Sequence, residues 1–149
     1  MVLLTRTTVY KLIQPVVALT LAVMFASAVL AIDAEKAKEY FNKGVTAQKE
    51  GKTQLAIDNY KGAISMDPSY YDAYINLGAM YFSQKQYDDA LTTLKKGTEK
   101  NPKGIDAFVN LAKVQTQLQK YVEAETSLKA AMALDPKRTD LYQELAKVY

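Results

Sequence analysis

Apolar and small residues recur along this chain with a period of 34 residues, so the hydrophobic pattern belongs to a repeated unit rather than to separate helices. When segments 37–70, 71–104 and 105–138 are aligned and counted from 1 to 34, an aromatic residue falls at position 4 (Tyr40, Tyr74, Phe108). Gly or Ala falls at position 8 (Gly44, Gly78, Ala112) and Ala at position 20 (Ala56, Ala90, Ala124). A large apolar residue occupies position 24 (Tyr60, Leu94, Leu128), a small one position 27 (Ala63, Gly97, Ala131), and proline position 32 (Pro68, Pro102, Pro136).

Each unit predicts two helices, A and B. In the first, Asp33 precedes AEKAKEYF and is placed to cap a helix A over 34–49, with Glu35 near its positive end. Gly51-Lys52 supplies a turn, and TQLAIDNYKGAISM forms helix B, ending before Asp67-Pro68 because proline disfavours helical geometry in the residue before it. The same plan predicts helices over 72–84 and 87–100, then over 106–118 and 121–134. Helices of about 13 residues are marginal alone and take their stability from packing. Small residues at positions 8 and 20 let helices A and B approach, while positions 4, 7, 11 and 24 fill the space around that contact.

These residues resemble the tetratricopeptide repeat family, whose pattern is an aromatic, then Leu-Gly, a Tyr, an Ala with an aromatic four residues on, and Pro. The resemblance implies an all-α, right-handed α-solenoid of helix-turn-helix repeats at 37–70, 71–104 and 105–138. Residues 139–149 start the pattern again, with Tyr142 at position 4, Leu145 at 7, Ala146 at 8 and Tyr149 at 11. They read as a capping helix, with Asp140 as its cap, or as a fourth repeat cut short. Tyr142, Ala146 and Tyr149 would normally face a helix B, so they are candidates for self-association.

Three departures from the pattern stand out. Position 7 is Leu77 and Leu111 but Lys43 in the first unit, a polar substitution suited to a terminal repeat. Position 11 runs Ala47, Tyr81, Gln115, which predicts a weaker seam in the third unit. Gly62, in the middle of a helix B, costs about 0.5–1 kcal/mol relative to Ala and has no evident reason in the sequence.

The N-terminal stretch breaks the period. Arg6 and Lys11 come first, an uncharged apolar run follows from Val16 to Ile32, and Asp33 and Glu35 follow that. This order predicts that residues 1–31 are a secretory signal peptide, with small residues spaced for cleavage in Ala26-Ser27-Ala28 and Val29-Leu30-Ala31, or else an N-terminal membrane anchor. Either reading puts the repeats outside the cytoplasm, periplasmic, secreted or anchored, because the basic end stays inside.

Composition narrows the chemistry. With no Cys, His or Trp, every mechanism needing a thiolate or an imidazole is excluded, as are Cys/His metal sites. No P-loop or G-x-S-x-G motif is present, and the paired acids Asp88-Asp89 and Glu123 with Glu125 read as solvated helix B surfaces. The expectation is a non-enzymatic protein with no cofactor and no metal. The formal net charge is +3, and with Arg6 and Lys11 set aside the remainder is almost neutral, so nothing argues for nucleic acid.

At about 100° per residue, helix A positions 4, 7, 8 and 11 share one side, and positions 2, 5, 9 and 12 form a second stripe. The resemblance implies that this stripe lines a concave groove for a peptide segment or partner subunit. Its members are Phe41, Ile75 and Val109 at position 5, Val45, Ala79 and Lys113 at 9, and Gln48, Phe82 and Thr116 at 12, with Gln143 and Lys147 from the last helix. The resemblance also implies that Asn42, Asn76 and Asn110, at position 6, bond a ligand backbone. Asp72 and Asp106 stand where the family's readers of acidic chaperone tails carry basic residues, so recognition of such tails is disfavoured. The chain is thus expected to be a protein-interaction scaffold outside the cytoplasm. The alternatives are a membrane-tethered assembly factor of an envelope complex and a self-associating structural protein, a homo-oligomer through its last helix. The membrane is a partner only if residues 1–31 remain attached.

Overall fold

The computed structural model describes the backbone of residues 6–149 and the side chains of residues 19, 20, 22–24 and 32–149. Within these bounds the chain forms seven helices: α1 (Arg6–Lys49), α2 (Thr53–Met66), α3 (Tyr71–Ser83), α4 (Tyr87–Lys100), α5 (Ile105–Gln117), α6 (Tyr121–Leu134) and α7 (Thr139–Ala146). Helices α1 and α2, α3 and α4, and α5 and α6 pack as pairs, and each pair stacks on the next through α2 with α3, α4 with α5, and α6 with α7.

The two turns of each unit repeat as faithfully as the helices. Between helices A and B, position 15 takes a left-handed conformation three times, with φ of 70° at Gly51, 60° at Lys85 and 58° at Gln119. There the N–H of Lys85 donates to the Phe82 carbonyl at 2.9 Å and that of Gln86 to the Tyr81 carbonyl at 2.9 Å, satisfying two carbonyls that a helix end leaves free. Between helix B and the next helix A, the Asx residue before each proline turns the chain. Asp67, Asn101 and Asp135 accept on their side-chain Oδ1 from the N–H of Ser69, Lys103 and Lys137 at 2.8, 3.1 and 3.0 Å.

Two expectations about helix starts are corrected. Asp33 caps nothing, because α1 runs straight through it. Residues 16–43 contain neither proline nor glycine, so nothing breaks the helix where the later units have their Asx-Pro turn. The cap residue of α7 is Arg138 rather than Asp140. The proposed cleavage sites and most of the apolar run lie outside the described side chains. Among the described residues no helix is long and apolar enough to cross a membrane. Leu19, Val23, Met24 and Ile32 are exposed.

The core lies both inside each unit and between units. Ala47, Ala56, Ile57 and Tyr60 of the first pair meet Leu77 and Met80 of α3, and Ala90 and Leu94 of the second meet Leu111 and Val114 of α5. Ala112, Ala124 and Leu128 pack beneath Leu145 and Val148. The position 8 glycines are required by position 24: a Cβ on Gly44 would stand 2.7 Å from the Tyr60 ring. Gly62 now has a reason too, since a Cβ there would lie 2.8 Å from Cδ1 of Tyr40. Lys43 is exposed and pairs with Glu39 at 2.6 Å, where Leu77 and Leu111 are buried. The third unit's seam is not left weak. Gln115 is buried, and its Oε1 accepts from the Ser127 hydroxyl at 2.8 Å.

Candidate functional site

The A helices, α1, α3, α5 and α7, leave a notch at each junction between one unit and the next, and position 24 beneath it decides how full that notch is. At the first junction Tyr60 fills it. The Tyr60 hydroxyl donates to Oε1 of Gln48 at 2.6 Å and lies 3.4 Å from Nδ2 of Asn76. Burial pushes the Tyr60 phenol above its ordinary pKa, with the Asn76 bond acting in the opposite sense. At the second junction the shorter Leu94 replaces that tyrosine, and a depression of ≈ 160 Å³ opens among Ala79, Phe82, Leu94, Asn110, Lys113 and Val114. At the third, above Ala112 and Leu128, a depression of ≈ 530 Å³ is lined also by Phe82, Lys113, Thr116, Gln117, Glu144 and Lys147. Phe82 and Lys113 belong to both depressions, so the two form one groove across α3, α5 and α7.

The electrostatics of the groove are simple. Lys147 pairs with Glu144 at 2.9 Å, whereas Lys113 is exposed and no carboxylate pairs with it among the described residues. Two acids at helix starts are occupied elsewhere. The Arg138 guanidinium holds Asp106 at 3.0 Å and Asp140 at 2.7 Å, and its hydrogen bond keeps the Asp140 carboxyl below the usual aspartate range. Among the described residues no group of three or more acidic side chains could hold a metal ion.

The structure divides the residues singled out in the sequence. It brings Ala79, Phe82, Asn110 and Lys113 together in the groove. Position 5 turns instead toward helix B and the following unit. Val109 is buried against Ala131 and Leu141 and is therefore not a groove residue. Ile75 is half-buried, in reach of the space above Gly97. Phe41, also half-buried, packs with ring centroids 5.7 Å from Tyr60 and 5.2 Å from Tyr70. Val45 is half-buried against the same cluster. Asn76 faces Tyr60, and Asn42 lines a separate depression of ≈ 520 Å³ with Glu39, Lys43, Thr46 and Leu55. Tyr142, Ala146 and Tyr149 are exposed, and the Tyr149 hydroxyl donates to Glu125 at 2.6 Å. Sequence reading missed Gln117, Glu144 and the floor residues Leu94 and Leu128. The available signal was the change from Tyr to Leu at position 24.

Two family models with the description "Tetratricopeptide repeat" match this chain, at residues 47–114 and 107–142. A search of curated protein sequences finds no match. Among solved structures, the chain is similar to the first tetratricopeptide domain of Spaghetti (RPAP3) bound to the HSP90 peptide SRMEEVD. That match has 26% identity and a TM-score of 0.74, covering 77% of this chain and 91% of that one. The first such domain of human RPAP3 is 25% identical with a TM-score of 0.73 over 77% and 91% of the two chains. MamA protein is 26% identical with a TM-score of 0.72, over 77% of this chain and 63% of its own. Stacked helix pairs, an Asx-Pro turn closing each 34-residue unit and family matches that together span residues 47–142 place this chain in the tetratricopeptide repeat family, as an α-solenoid.

Proposed function

We propose that the chain is a non-enzymatic interaction scaffold whose groove across α3, α5 and α7 holds a peptide segment of a partner protein. The observation that carries this reading is the continuity of the two depressions through Phe82 and Lys113, at the two junctions where leucine rather than tyrosine lies beneath. The structure that is similar in fold and holds an HSP90 peptide supports a peptide as the class of ligand. Its acidic tail is not carried over, because Asp72 and Asp106 remain where basic residues would be needed to hold it.

The test is a comparison of partner capture by the wild-type chain and by Ala79→Arg with Lys113→Glu, two exposed positions whose change leaves the core intact. The double variant should lose the captured proteins while keeping its helical circular dichroism. Equal capture by both would defeat the groove reading.

The same proposal places the repeats outside the cytoplasm, on the order of charges and apolar residues before Asp33. Loss of residues 1–31 from the purified protein supports a periplasmic or secreted form, and an intact N-terminus supports a membrane-tethered assembly factor. Exposure of Tyr142 and Tyr149 favours one further reading, self-association through α7. A monomer in light scattering would remove it.

A further inference from the structure

We propose that α1 is a stiff membrane stalk: residues 12–32 cross a lipid bilayer as part of the same helix that forms helix A of the first unit. The edge of the solenoid that carries turns 67–70 and 101–104 then lies at the lipid headgroups, and the edge that carries turns 50–52 and 84–86 points away from them. This inference rests on the membrane-tethered reading and adds to it the orientation of the repeats.

Length and the spread of apolar residues identify a bilayer as what covers this part of α1. Between Lys11 and Asp33 the 21 residues 12–32 carry no charge. As one helix they are about 31 Å long at 1.5 Å per residue, close to the hydrocarbon core of a bilayer at about 30 Å. The described residues alone fall short of such a span, and the count is that of the whole sequence. Within it Leu19, Ala22, Val23, Met24 and Ile32 are all exposed. At about 100° per residue, Val23, Met24, Ile32 and Ala22 point about 40°, 140°, 220° and 300° round the axis from Leu19. Apolar side chains thus face every side. A helix lying on a membrane surface has a polar face to turn to water, and one that is apolar all round is enclosed on all sides.

The stalk is stiff because nothing interrupts it. Residues 16–43 contain neither proline nor glycine, and residues 34–39, AEKAKE, are all strong helix formers. Ala37 is already fully buried in the solenoid. Fewer than two turns of helix therefore separate the packed unit from the uncharged stretch, and no linker lies between them.

Short connections then fix the orientation. Turns of three and four residues join antiparallel neighbours, so all the helices A run in the sense of α1, and turns 67–70 and 101–104 lie at the edge where α1 enters. Ala37, level with the first of these turns, is five residues from Ile32, about 8 Å along the helix. Lys49, beside turn 50–52, is 17 residues from Ile32, about 25 Å. Headgroups extend about 5–8 Å beyond the hydrocarbon, so they reach the first edge and not the second. Phe82, level with Gln48, stands about 24 Å out, and the groove opens to the aqueous phase.

The absence of cysteine makes the test direct. Ser69→Cys, Lys103→Cys, Lys52→Cys and Gln86→Cys, all at exposed turn positions, each place one bimane label on the full-length chain. The variants are reconstituted in phosphatidylcholine vesicles doped with a nickel-chelating lipid, whose headgroup metal quenches bimane at short range. Quenching should be about tenfold stronger at Ser69→Cys and Lys103→Cys than at Lys52→Cys and Gln86→Cys, across the ~17 Å between the two edges. A Gly-Ser-Gly-Ser-Gly insertion between Ile32 and Asp33 should leave the chain in the vesicles and make the four positions alike.

Equal quenching at all four positions of the uninterrupted chain, or a difference that survives the insertion, would overturn the inference and leave the tether standing. A chain that does not float with the vesicles defeats the tether and the inference together. The scaffold reading stands or falls separately, on whether Ala79→Arg with Lys113→Glu loses captured partners.

Discussion

Gly78 and Leu94 exclude any side chain between them: a Cβ on the glycine would stand 2.5 Å from Cγ of the leucine. Gly78 therefore sets how closely α3 and α4 approach. Alanine is the better helix former by about 1 kcal/mol, yet Gly78→Ala should destabilise the domain by about 1–3 kcal/mol, because overpacking a filled contact costs more than the propensity gains. Urea unfolding checks this. Adding Leu94→Ala, itself a loss because Leu94 is fully buried, should cost less than the sum of the two single changes, since the two share one volume.

At the turns between helices A and B, three residues adopt a left-handed conformation and only Gly51 does so without a side chain. Left-handed geometry costs an L-residue about 1–2 kcal/mol. Lys85→Gly and Gln119→Gly should accordingly raise stability, each by up to about 1 kcal/mol after the entropy of the unfolded glycine is counted. Gly51→Ala should lower it by a similar amount. Thermal melts of the three single variants give the comparison.

Gln115 and Ser127 form a buried polar pair in the third unit. Ser127→Ala leaves the Gln115 amide oxygen without its donor and should cost about 1–3 kcal/mol. In Gln115→Leu with Ser127→Ala no polar group is left stranded, and most of the loss should be recovered. A double-mutant cycle by chemical denaturation measures the difference.

Docking of α7 should depend on pH through Arg138. Its hydrogen bond lowers the Asp140 carboxyl below the ordinary 3.8. A carboxyl lowered in the folded state stabilises that state above its unfolded pKa and stops doing so as pH falls through the folded one. Amide exchange in α7 should therefore be slow above pH 3.8 and quicken as pH drops beneath it, before the buried pairs α3–α6 open. In Arg138→Gln the main cause of the lowered carboxyl is gone, and the quickening with falling pH should largely disappear.

The repeat unit was legible because its evidence is local and redundant. Pro68, Pro102 and Pro136 mark where helices B stop, and Gly or Ala at positions 8 and 20 marks the faces that touch. Helices predicted over 72–84 and 106–118 form as Tyr71–Ser83 and Ile105–Gln117. The start of α1 was not legible, because an acidic residue after an apolar run looks like a cap whether or not the helix continues through it. Gly62 stayed unexplained until Tyr40, 22 positions earlier in the chain, appeared against it.

The candidate groove was legible as a stripe but not as a cavity. Periodicity assigns a residue to a side of a helix, and Ala79, Phe82, Asn110 and Lys113, which it set on one stripe and beside it, line one depression. It cannot tell whether a neighbouring helix lies over that side, which is why Val109 was counted in the groove although Leu141 and Ala131 cover it.

By itself, then, the sequence determined the period, the helices from α2 onward, their small-residue contacts and the polar surface at Lys43, since each depends on residues a few positions apart. Only the tertiary structure decided which notches stay open. That outcome turns on one side chain from helix B, Tyr60 in one unit and Leu94 or Leu128 in the next two, reaching across to groups on two different helices A. The volume left above it is a property of three packed helices, and a one-dimensional pattern contains no measure of it.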